Sequence, residues 1–330
     1  MNVADLIDAA VELPIVPSFT RLGYDLRSRT DHWRALDSYD LSGRVVLITG
    51  ATSGLGLAAA RRLAASGATL VLLGRDPDRT GRARDEIATA SGNDQVTTVI
   101  ADMADLEAVR RAAAAVAEAH QRLDVLIHNA GALDAERHVT AEGIETTIAS
   151  QVVGPFLLTA LLLDRLSANG APGRVLTMSS GGMYAAALDV DHLEMDEQHY
   201  RGSDQYARAK RAQVTLNELW AERLADRDVV CHAVHPGWAD TPGVEKSLPR
   251  FHTLVGPLLR TPDQGADTIV WLAADDGAPL ETSGRFWLDR RSRPIHRIPA
   301  TRRVDTRAER DRLWDWCVER SGIDAGLLVA

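Results

Sequence analysis

The chain has 330 residues, 45% of them hydrophobic and 25% charged, with a formal net charge of −9 at pH 7. This length accommodates one large α/β domain or two smaller ones, and the composition is ordinary for a soluble globular protein. The acidic balance argues against a general binder of nucleic acid or anionic membranes, and two cysteines, Cys231 and Cys317, supply neither a disulfide framework nor a metal cluster.

The first 42 residues differ from the rest of the chain. A short amphipathic segment ends at Pro14, and a polar stretch of alternating Arg and Asp runs to Asp40. We predict an N-terminal arm over residues 1–42 that packs on the domain, with an interfacial helix or partner-docking segment as the alternative. The N-terminus lacks the pattern of a signal peptide, and no apolar stretch approaches the length that spans a bilayer. We therefore expect a cytoplasmic protein without a membrane span.

From Arg44 onward, strand and helix patterns alternate, which predicts a parallel sheet with helices on both faces. Most of the predicted strands are continuous apolar runs, as expected where both faces of a sheet are covered. The predicted strands are 44–49, 69–74, 96–101, 123–128, 173–179, 229–235 and 286–288. The predicted helices are 54–66, 77–90, 105–119, 142–167, 204–225, 262–275 and 306–319. We assign residues 43–300 to one domain and 301–330 to a C-terminal helical extension whose last helix caps the core.

Two long irregular segments, 181–203 and 238–261, fall inside the predicted domain. Long loops in a compact domain are usually functional or act as lids. We expect a substrate pocket beneath them, and the apolar side chains available to line it are Met183, Tyr184, Trp238, Leu248 and Phe251.

A turn with three glycines, Gly50, Gly54 and Gly56, joins the first predicted strand to an alanine-rich helix. Such a turn leaves backbone N–H groups and the positive end of the helix dipole facing outward, which suits a phosphate or pyrophosphate. Glycine permits the tight turn and a close approach of the ligand to the backbone. The position between strand and helix makes this signal stronger than a glycine trio alone.

Tyr206 and Lys210 lie four residues apart in a predicted helix, and Lys210 is one of only two lysines in the chain. Positions i and i+4 share a helix face, so an ammonium there would draw the phenol pKa toward neutrality. A phenol so tuned can exchange a proton with a carbonyl or alcohol oxygen. The alternative is a surface pair without a chemical role.

Further polar and turn residues end neighbouring predicted strands, at the edge where open α/β sheets bind ligands. They are Asp102 after the third strand, Asn129-Ala130-Gly131 after the fourth, Ser179-Ser180 after the fifth, and Pro236-Gly237 with Thr241 after the sixth. Because these residues share one edge of the sheet, the alternative that Tyr206 and Lys210 are a surface pair without a chemical role is weakened.

These motifs together resemble the short-chain dehydrogenase/reductase superfamily, in the subgroup whose loop reads Thr-Gly-x-x-x-Gly-x-Gly, over about residues 43–290. The resemblance implies a Rossmann-type three-layer sandwich whose doubly wound parallel sheet has about seven strands in the order 3-2-1-4-5-6-7. It also implies hydride transfer between a nicotinamide cofactor and a small-molecule carbonyl/alcohol pair. The segments 179–183, 235–244 and 283–290 look like the member-12 branch of the dehydrogenase/reductase proteins.

The resemblance assigns roles to individual residues. Tyr206 is the expected acid/base, Lys210 holds the nicotinamide ribose and lowers the tyrosine pKa, and Ser180 hydrogen-bonds the substrate oxygen. The residues expected to cradle the pyrophosphate are Gly50, Ser53, Gly54, Leu55 and Gly56. Asp102 and Met103 are expected at the adenine. The residues expected at the adenosine ribose and central strand are Asn129, Ala130 and Gly131, and those expected at the nicotinamide are Pro236, Trp238 and Thr241.

Relatives often form homodimers or homotetramers through the helices that contain 142–167 and 204–225. We expect the same here unless the N-terminal arm or the C-terminal helix blocks that pairing. His128 and His235 are read as strand-end packing residues, and no cluster of His or acidic residues indicates a metal.

The chain departs from the family pattern at Gln151, where the family has an Asn that helps to hold a water linked to Lys210. We predict a reduced or altered proton relay with activity retained, which Gln151→Asn would test through turnover and its pH profile. The insertion at 181–203 also lengthens the spacing from Ser180 to Tyr206.

The end of the second strand predicts the cofactor. Gly74 stands where an acid would favour NAD, and the guanidinium of Arg75 suits a 2′-phosphate, so NADP is favoured over NAD. Asp76 would oppose this if it turned inward, but it is expected to begin the next helix. The rival to an enzyme is a non-catalytic NADP-binding regulatory protein, and Gln151 is the only sequence feature that favours it.

Overall fold

One eight-stranded sheet has the strand order β3-β2-β1-β4-β5-β6-β7-β8 in the computed structural model, which describes residues 3–12, 14–166, 170–247 and 249–328. The strands are β1 (Val45–Thr49), β2 (Thr69–Gly74), β3 (Val96–Ile100), β4 (Val125–His128), β5 (Gly173–Met178), β6 (Val229–Val234), β7 (Arg285–Leu288) and β8 (Arg291–Arg293). The first seven pair in parallel and in the predicted order, whereas β8 pairs antiparallel with β7. The predicted fold class is confirmed, and β8 is an addition to it.

The strands are continuous apolar runs because helices cover both faces of the sheet. Val46 and Ile48 of β1 pack with one set of helices, and Leu47 between them packs with the other. All three are fully buried, as the two-residue period of a strand between two helical layers requires.

The helices of the domain alternate with the strands. They are α4 (Gly54–Ala65), α5 (Pro77–Ser91), α6 (Leu106–Ala119), α7 (Thr146–Ile148), α8 (Gly154–Leu166), α9 (Gly202–Arg223), α10 (Pro242–Ser247), α11 (Pro249–Val255) and α12 (Pro262–Ala274). One face of the sheet carries α4 and α12, which pack on each other, and the opposite face carries α6, α8 and α9. Because the first seven strands are parallel, their carboxyl ends lie along one edge of the sheet.

The N-terminal arm is more helical than predicted. It contains α1 (Val3–Glu12), α2 (Ile15–Phe19) and α3 (Arg21–Thr30), the last within the stretch that appeared only polar in the sequence. The helix α3 has few apolar residues because ion pairs anchor it to the domain. Arg27 is 1% exposed and pairs with Asp8, Glu12 and Asp289.

The helix between β4 and β5 is continuous from Thr146 to Leu166, with a π-helical segment at Ala149–Val153. By length and composition alone, this 21-residue stretch could cross a membrane, so the expectation that no stretch reaches that length is wrong. In the fold, 78% of its most apolar window is buried, because it packs between the sheet and neighbouring helices. Its apolar character is therefore explained by its place in the core.

The C-terminal segment contains α13 (Pro299–Val304) and α14 (Arg307–Ser321). Trp314 of α14 packs against Phe156 of α8 and Trp220 of α9, with ring centroids 5.0 and 4.7 Å apart. The last helix therefore packs on the core, over the two helices through which relatives often pair.

Candidate cofactor and catalytic site

The glycine turn after β1 packs directly on the end of β4. A Cβ on Gly50, whose φ is +69°, would lie 2.7 Å from the Cα of Ala130. A Cβ on Gly56 would collide with the Asn129 amide and the Gly50 carbonyl. Glycine is therefore required at Gly50 because the backbones of the two loops touch, and at Gly56 because the Asn129 side chain and the turn's own backbone fill the space.

Asn129 and Thr49 fix this contact. Asn129 Nδ2 donates to the carbonyl oxygens of Thr49 and Gly50, each at 3.0 Å. The Thr49 hydroxyl accepts from the backbone N–H groups of Asn129 and Ala130, also at 3.0 Å. The predicted strand-end residues therefore hold the glycine turn in place.

The N-terminus of α4 is left without a side-chain cap. Its N-cap residue, Ser53, is exposed and makes no capping hydrogen bond. The helices α5, α6 and α12 are each capped, by Asp76, Asp105 and Thr261. The first N–H groups of α4 are thus available to an anion, and the site fits the pyrophosphate of a dinucleotide.

Ser180, Tyr206 and Lys210 meet at the same edge of the sheet. Ser180 follows β5, and its hydroxyl lies near enough to the Tyr206 phenol to influence the pKa of that phenol, and accepts a hydrogen bond from Gly182 N at 3.2 Å. Lys210 Nζ lies 5.1 Å from the centre of the Tyr206 ring and donates to the Met178 carbonyl at 2.9 Å. The two residues lie one helical turn apart on α9, as their spacing predicted.

The expected lowering of the tyrosine pKa is not what the structure gives. Burial raises the pKa of Tyr206 to about 12, although the nearby Ser180 hydroxyl opposes the shift. Burial also lowers the pKa of Lys210 to about 7. Tyr206 is therefore a neutral phenol at physiological pH and can donate a proton. Lys210 gains or loses its charge near neutral pH.

Gln151 lies in the π-helical segment and faces the same region. Its Nε2 donates to the Ala132 carbonyl at 2.7 Å, and its backbone carbonyl accepts from Gln213 Nε2 at 2.7 Å. A Cβ on Gly131 would lie 3.1 Å from Gln151 Oε1 and 3.5 Å from Lys210 Nζ, so both groups flank this glycine.

A cavity of about 30 Å³, enough for one water, adjoins Gln151. Gln151 Oε1, Gln213 Oε1 and His128 Nδ1 are buried without hydrogen-bond partners in the described structure, and all three residues line the cavity.

The residues expected at the adenosine lie in the loops after β2 and β3. Asp102 Oδ1 accepts from Ala104 N at 2.9 Å, and the carbonyl of buried Met103 lies against Gly154. Asp76 caps α5 by accepting from Arg79 N at 2.9 Å, as expected. Arg75 beside it is exposed at the end of β2.

The loop 236–241 closes the other end of the site. A Cβ on Gly54 would be 3.4 Å from Thr241, so this loop reaches the glycine turn and the N-terminus of α4. Pro236 O accepts from Arg260 Nη1 at 3.3 Å, and Trp238 N donates to the Phe19 carbonyl at 2.7 Å. The N-terminal arm therefore contacts the loop that was expected to face the nicotinamide.

Two residues expected to line a substrate pocket lie elsewhere. Met183 is fully buried and Tyr184 nearly so, in a cluster with Phe19, because Arg211 donates to the Met183 and Ala186 carbonyls and holds that segment down. Trp238 is half-buried beside this cluster. Leu248 and the side chain of Phe251 lie outside the described residues.

Sequence reasoning missed three residues that shape the site, Phe19, Gln213 and Arg260, and it gave His235 only a packing role. His128 matches its interpretation as a packing residue, since its Nε2 hydrogen-bonds Thr159 at 2.7 Å in the core. His235 does more, because its Nδ1 accepts from two backbone amides of the site loops. Its place directly before Pro236 was the available signal.

The chain matches the family described as short chain dehydrogenase over residues 44–250. It is 36% identical over 295 residues to the human protein "Dehydrogenase/reductase SDR family member 12", covering 89% of this chain and 91% of that one. It is 33% identical to human "Retinol dehydrogenase 12", covering 86% of this chain and 88% of the relative.

Solved structures show the same fold. A chain from Escherichia coli CFT073 complexed with NADPH aligns with a TM-score of 0.63 and 25% identity, covering 78% of this chain and all of that one. The 3-ketoacyl-(acyl-carrier-protein) reductase from Brucella melitensis, complexed with NADH, aligns with a TM-score of 0.60 and 25% identity, covering 75% of this chain and 96% of that one.

Proposed function

The chain belongs to the short-chain dehydrogenase/reductase family, and on that basis we propose that it is an NADP-dependent reductase of a small-molecule carbonyl, with Tyr206 as the proton donor. The observation that carries the proposal is the group of Tyr206, Ser180 and Lys210 at the edge where the uncapped N-terminus of α4 lies.

Each of the three side chains has a defined task in this proposal. Tyr206 gives its proton to the carbonyl oxygen, since its raised pKa keeps the phenol protonated at neutral pH. Ser180, whose hydroxyl lies near the Tyr206 phenol, orients that oxygen. Lys210 binds the nicotinamide ribose and stabilises the developing phenolate when charged. The dinucleotide, when bound, supplies the hydride.

The proposed preference for NADP rests on the end of β2. Gly74 leaves no acid for a ribose 2′-OH, and a Cβ there would collide with Thr80 Oγ1, so packing requires glycine at this position. Arg75 is exposed and within the same turn, where a guanidinium can pair with a 2′-phosphate. Asp76 is engaged as a helix cap and so does not turn toward that phosphate. The E. coli neighbour with NADPH is consistent with this choice, while the Brucella neighbour with NADH shows that the fold itself does not decide it.

The test is NADPH oxidation across a panel of aldehydes and ketones of graded apolar size. Wild-type protein should oxidise NADPH with at least one of them, and Tyr206→Phe should reduce turnover by about 10²–10⁴-fold because the proton donor is lost. Fluorescence titration should show that the variant still binds NADPH. Binding of NADPH without oxidation by any carbonyl would instead support the regulatory alternative.

A further inference from the structure

His235 joins the two loops that flank the proposed reaction centre. Its Nδ1 accepts hydrogen bonds from Gly181 N at 3.1 Å and from Gly237 N at 3.3 Å. Gly181 directly follows Ser180, and Gly237 lies in the loop 236–241. One imidazole atom therefore fixes the spacing between the serine turn and that loop.

The imidazole is held in one state. Because Nδ1 accepts from two amides, the ring proton resides on Nε2, which is buried without a hydrogen-bond partner in the described structure. Burial lowers the pKa of His235 to about 3, so the ring stays neutral at physiological pH. A charged ring would carry a proton on Nδ1 and lose both amide bonds.

The N-terminal arm covers this histidine. The Phe19 ring stands perpendicular to the imidazole, with centroids 4.3 Å apart, and the Phe19 carbonyl accepts from Trp238 N at 2.7 Å. A Cβ on Gly181 would lie 2.8 Å from both Phe19 Cε2 and His235 Nε2, so the serine turn, the histidine and the arm are in direct contact.

A buried arginine ties the arm to the same loop. Arg260 is 1% exposed and donates to Ser18 O, Phe19 O and Pro236 O at 3.0–3.3 Å. Its guanidinium also pairs with Asp289, which pairs with Arg27 of the arm. The arm and the loop therefore share one rigid, buried set of bonds.

We propose that His235 is a positioning residue for carbonyl reduction and that the N-terminal arm, through Phe19, is a structural part of the active site. The proposal rests on the proposed function, since the geometry it fixes is that between Ser180 and the nicotinamide-facing loop. A displacement of about 1 Å between such groups can lower a rate by about 10²-fold.

Three variants test the proposal. His235→Leu keeps the volume and removes the acceptor, while His235→Asn places Oδ1 where Nδ1 was and keeps it. His232→Leu is the matched control, because His232 lies three residues earlier in β6, is equally buried and bonds Pro279 O and Trp287 Nε1 away from the site.

Three quantities are measured for each variant: the hydrogen-exchange rates of residues 180–184 and 235–240, kcat, and the affinity for NADPH. His235→Leu should accelerate exchange at Gly181 and Gly237 by about 10-fold and lower kcat by about 10–100-fold, with a smaller change in NADPH affinity. His235→Asn should recover most of both. His232→Leu should lower thermal stability without changing either readout.

The proposal is overturned if His235→Leu behaves like His232→Leu, or if His235→Asn fails as badly as His235→Leu. Exchange rates do not depend on turnover, so failure to find any carbonyl substrate would overturn the proposed function and leave the positioning claim testable. Should His235→Leu not fold, Phe19→Leu gives the second test: faster exchange at 235–240 supports the proposal, and unchanged exchange contradicts it.

Discussion

Lys210 is the residue whose charge should set the pH dependence of the reaction. Its pKa is lowered to about 7 by burial, so the ammonium is present below that pH and lost above it. Tyr206 stays protonated to about pH 12 and adds no limb in the same range. We therefore expect kcat/KM for carbonyl reduction to fall as pH rises through about 7, measured by NADPH oxidation. Lys210→Met should be slow, and its kcat/KM should not fall as pH rises through about 7. If the kcat/KM of the wild-type protein does not change up to about pH 9, the assignment is wrong.

Arg75 is the residue that should discriminate NADP from NAD. Arg75→Ala removes a charge-assisted pair with the 2′-phosphate, which is worth about 1.5–3 kcal/mol. We expect NADPH affinity to fall by about 10–100-fold and NADH affinity to change by less than about 3-fold, measured by fluorescence titration. The control Arg82→Ala removes an exposed charge from the same region and should affect neither. Equal losses for both cofactors in Arg75→Ala would refute the role.

Residues whose chemistry is local were predictable from sequence. Gly50, Gly56 and Asn129 were placed correctly because a strand–turn–helix pattern dictates where such residues meet. The pKa of Tyr206 was not, because it depends on how deeply α9 buries the phenol rather than on its distance along the helix from Lys210. Gln213 was also missed, since its partner is the backbone carbonyl of Gln151, 62 positions away.

At the scale of elements, α10 and α11 lie in the segment 238–261, which was predicted to be irregular. The strands β1 to β7 and the other helices between them followed from continuous apolar runs and helical patterns. The hairpin from β7 to β8 was not predicted. Its turn residues, Asp289 and Arg290, both have φ of +55°, and turns of this kind usually carry the sequence Asn-Gly or Asp-Gly. The turn is held by tertiary contacts: Asp289 is fully buried between Arg27 and Arg260. No local pattern could reveal a turn or an arm helix that depends on such a pairing.

The same pairing makes a prediction about stability. Burial disfavours the charged form of Asp289, but Arg260 and Arg27 outweigh this and hold its pKa below the ordinary range. Asp289→Asn leaves two buried guanidinium groups without their shared carboxylate, which typically costs about 3–5 kcal/mol. We expect a loss of that size in urea denaturation, with the arm exchanging hydrogen faster than β1.

The matched control is Glu86→Gln, which breaks an exposed pair with Arg61 and should change stability by about 0–1 kcal/mol. A loss in Asp289→Asn no larger than that of the control would show that the arm is not held by this carboxylate.

At the scale of the whole molecule, α14 covers part of the helices α8 and α9. It packs on α8 and α9 through Trp314, and Arg223 lies 4.0 Å from the centre of that ring. Ion pairs of Arg307 with Glu222 and of Arg310 with Glu218 add to the contact. The predicted pairing of copies through α8 and α9 would require this helix to move away.

We therefore expect the full chain to behave as a monomer of 35.8 kDa in light scattering coupled to size exclusion. Trp314→Ala should weaken the packing of α14 and expose Phe156 and Trp220, and so increase self-association. A wild-type dimer that protects α8 and α9 from hydrogen exchange would show that α14 does not block that face.

We expect this chain to transfer a hydride from NADPH to a carbonyl carbon while Tyr206 supplies the proton. The transfer can be followed by mass spectrometry, as deuterium that passes into the alcohol product from NADPH deuterated at both C4 positions. We predict one deuterium on the carbinol carbon with wild-type protein and a yield lower by about 10²–10⁴-fold with Tyr206→Phe. Deuterium transfer that is equally fast in both proteins, or NADPH binding with no transfer to any carbonyl of the panel, would contradict the account.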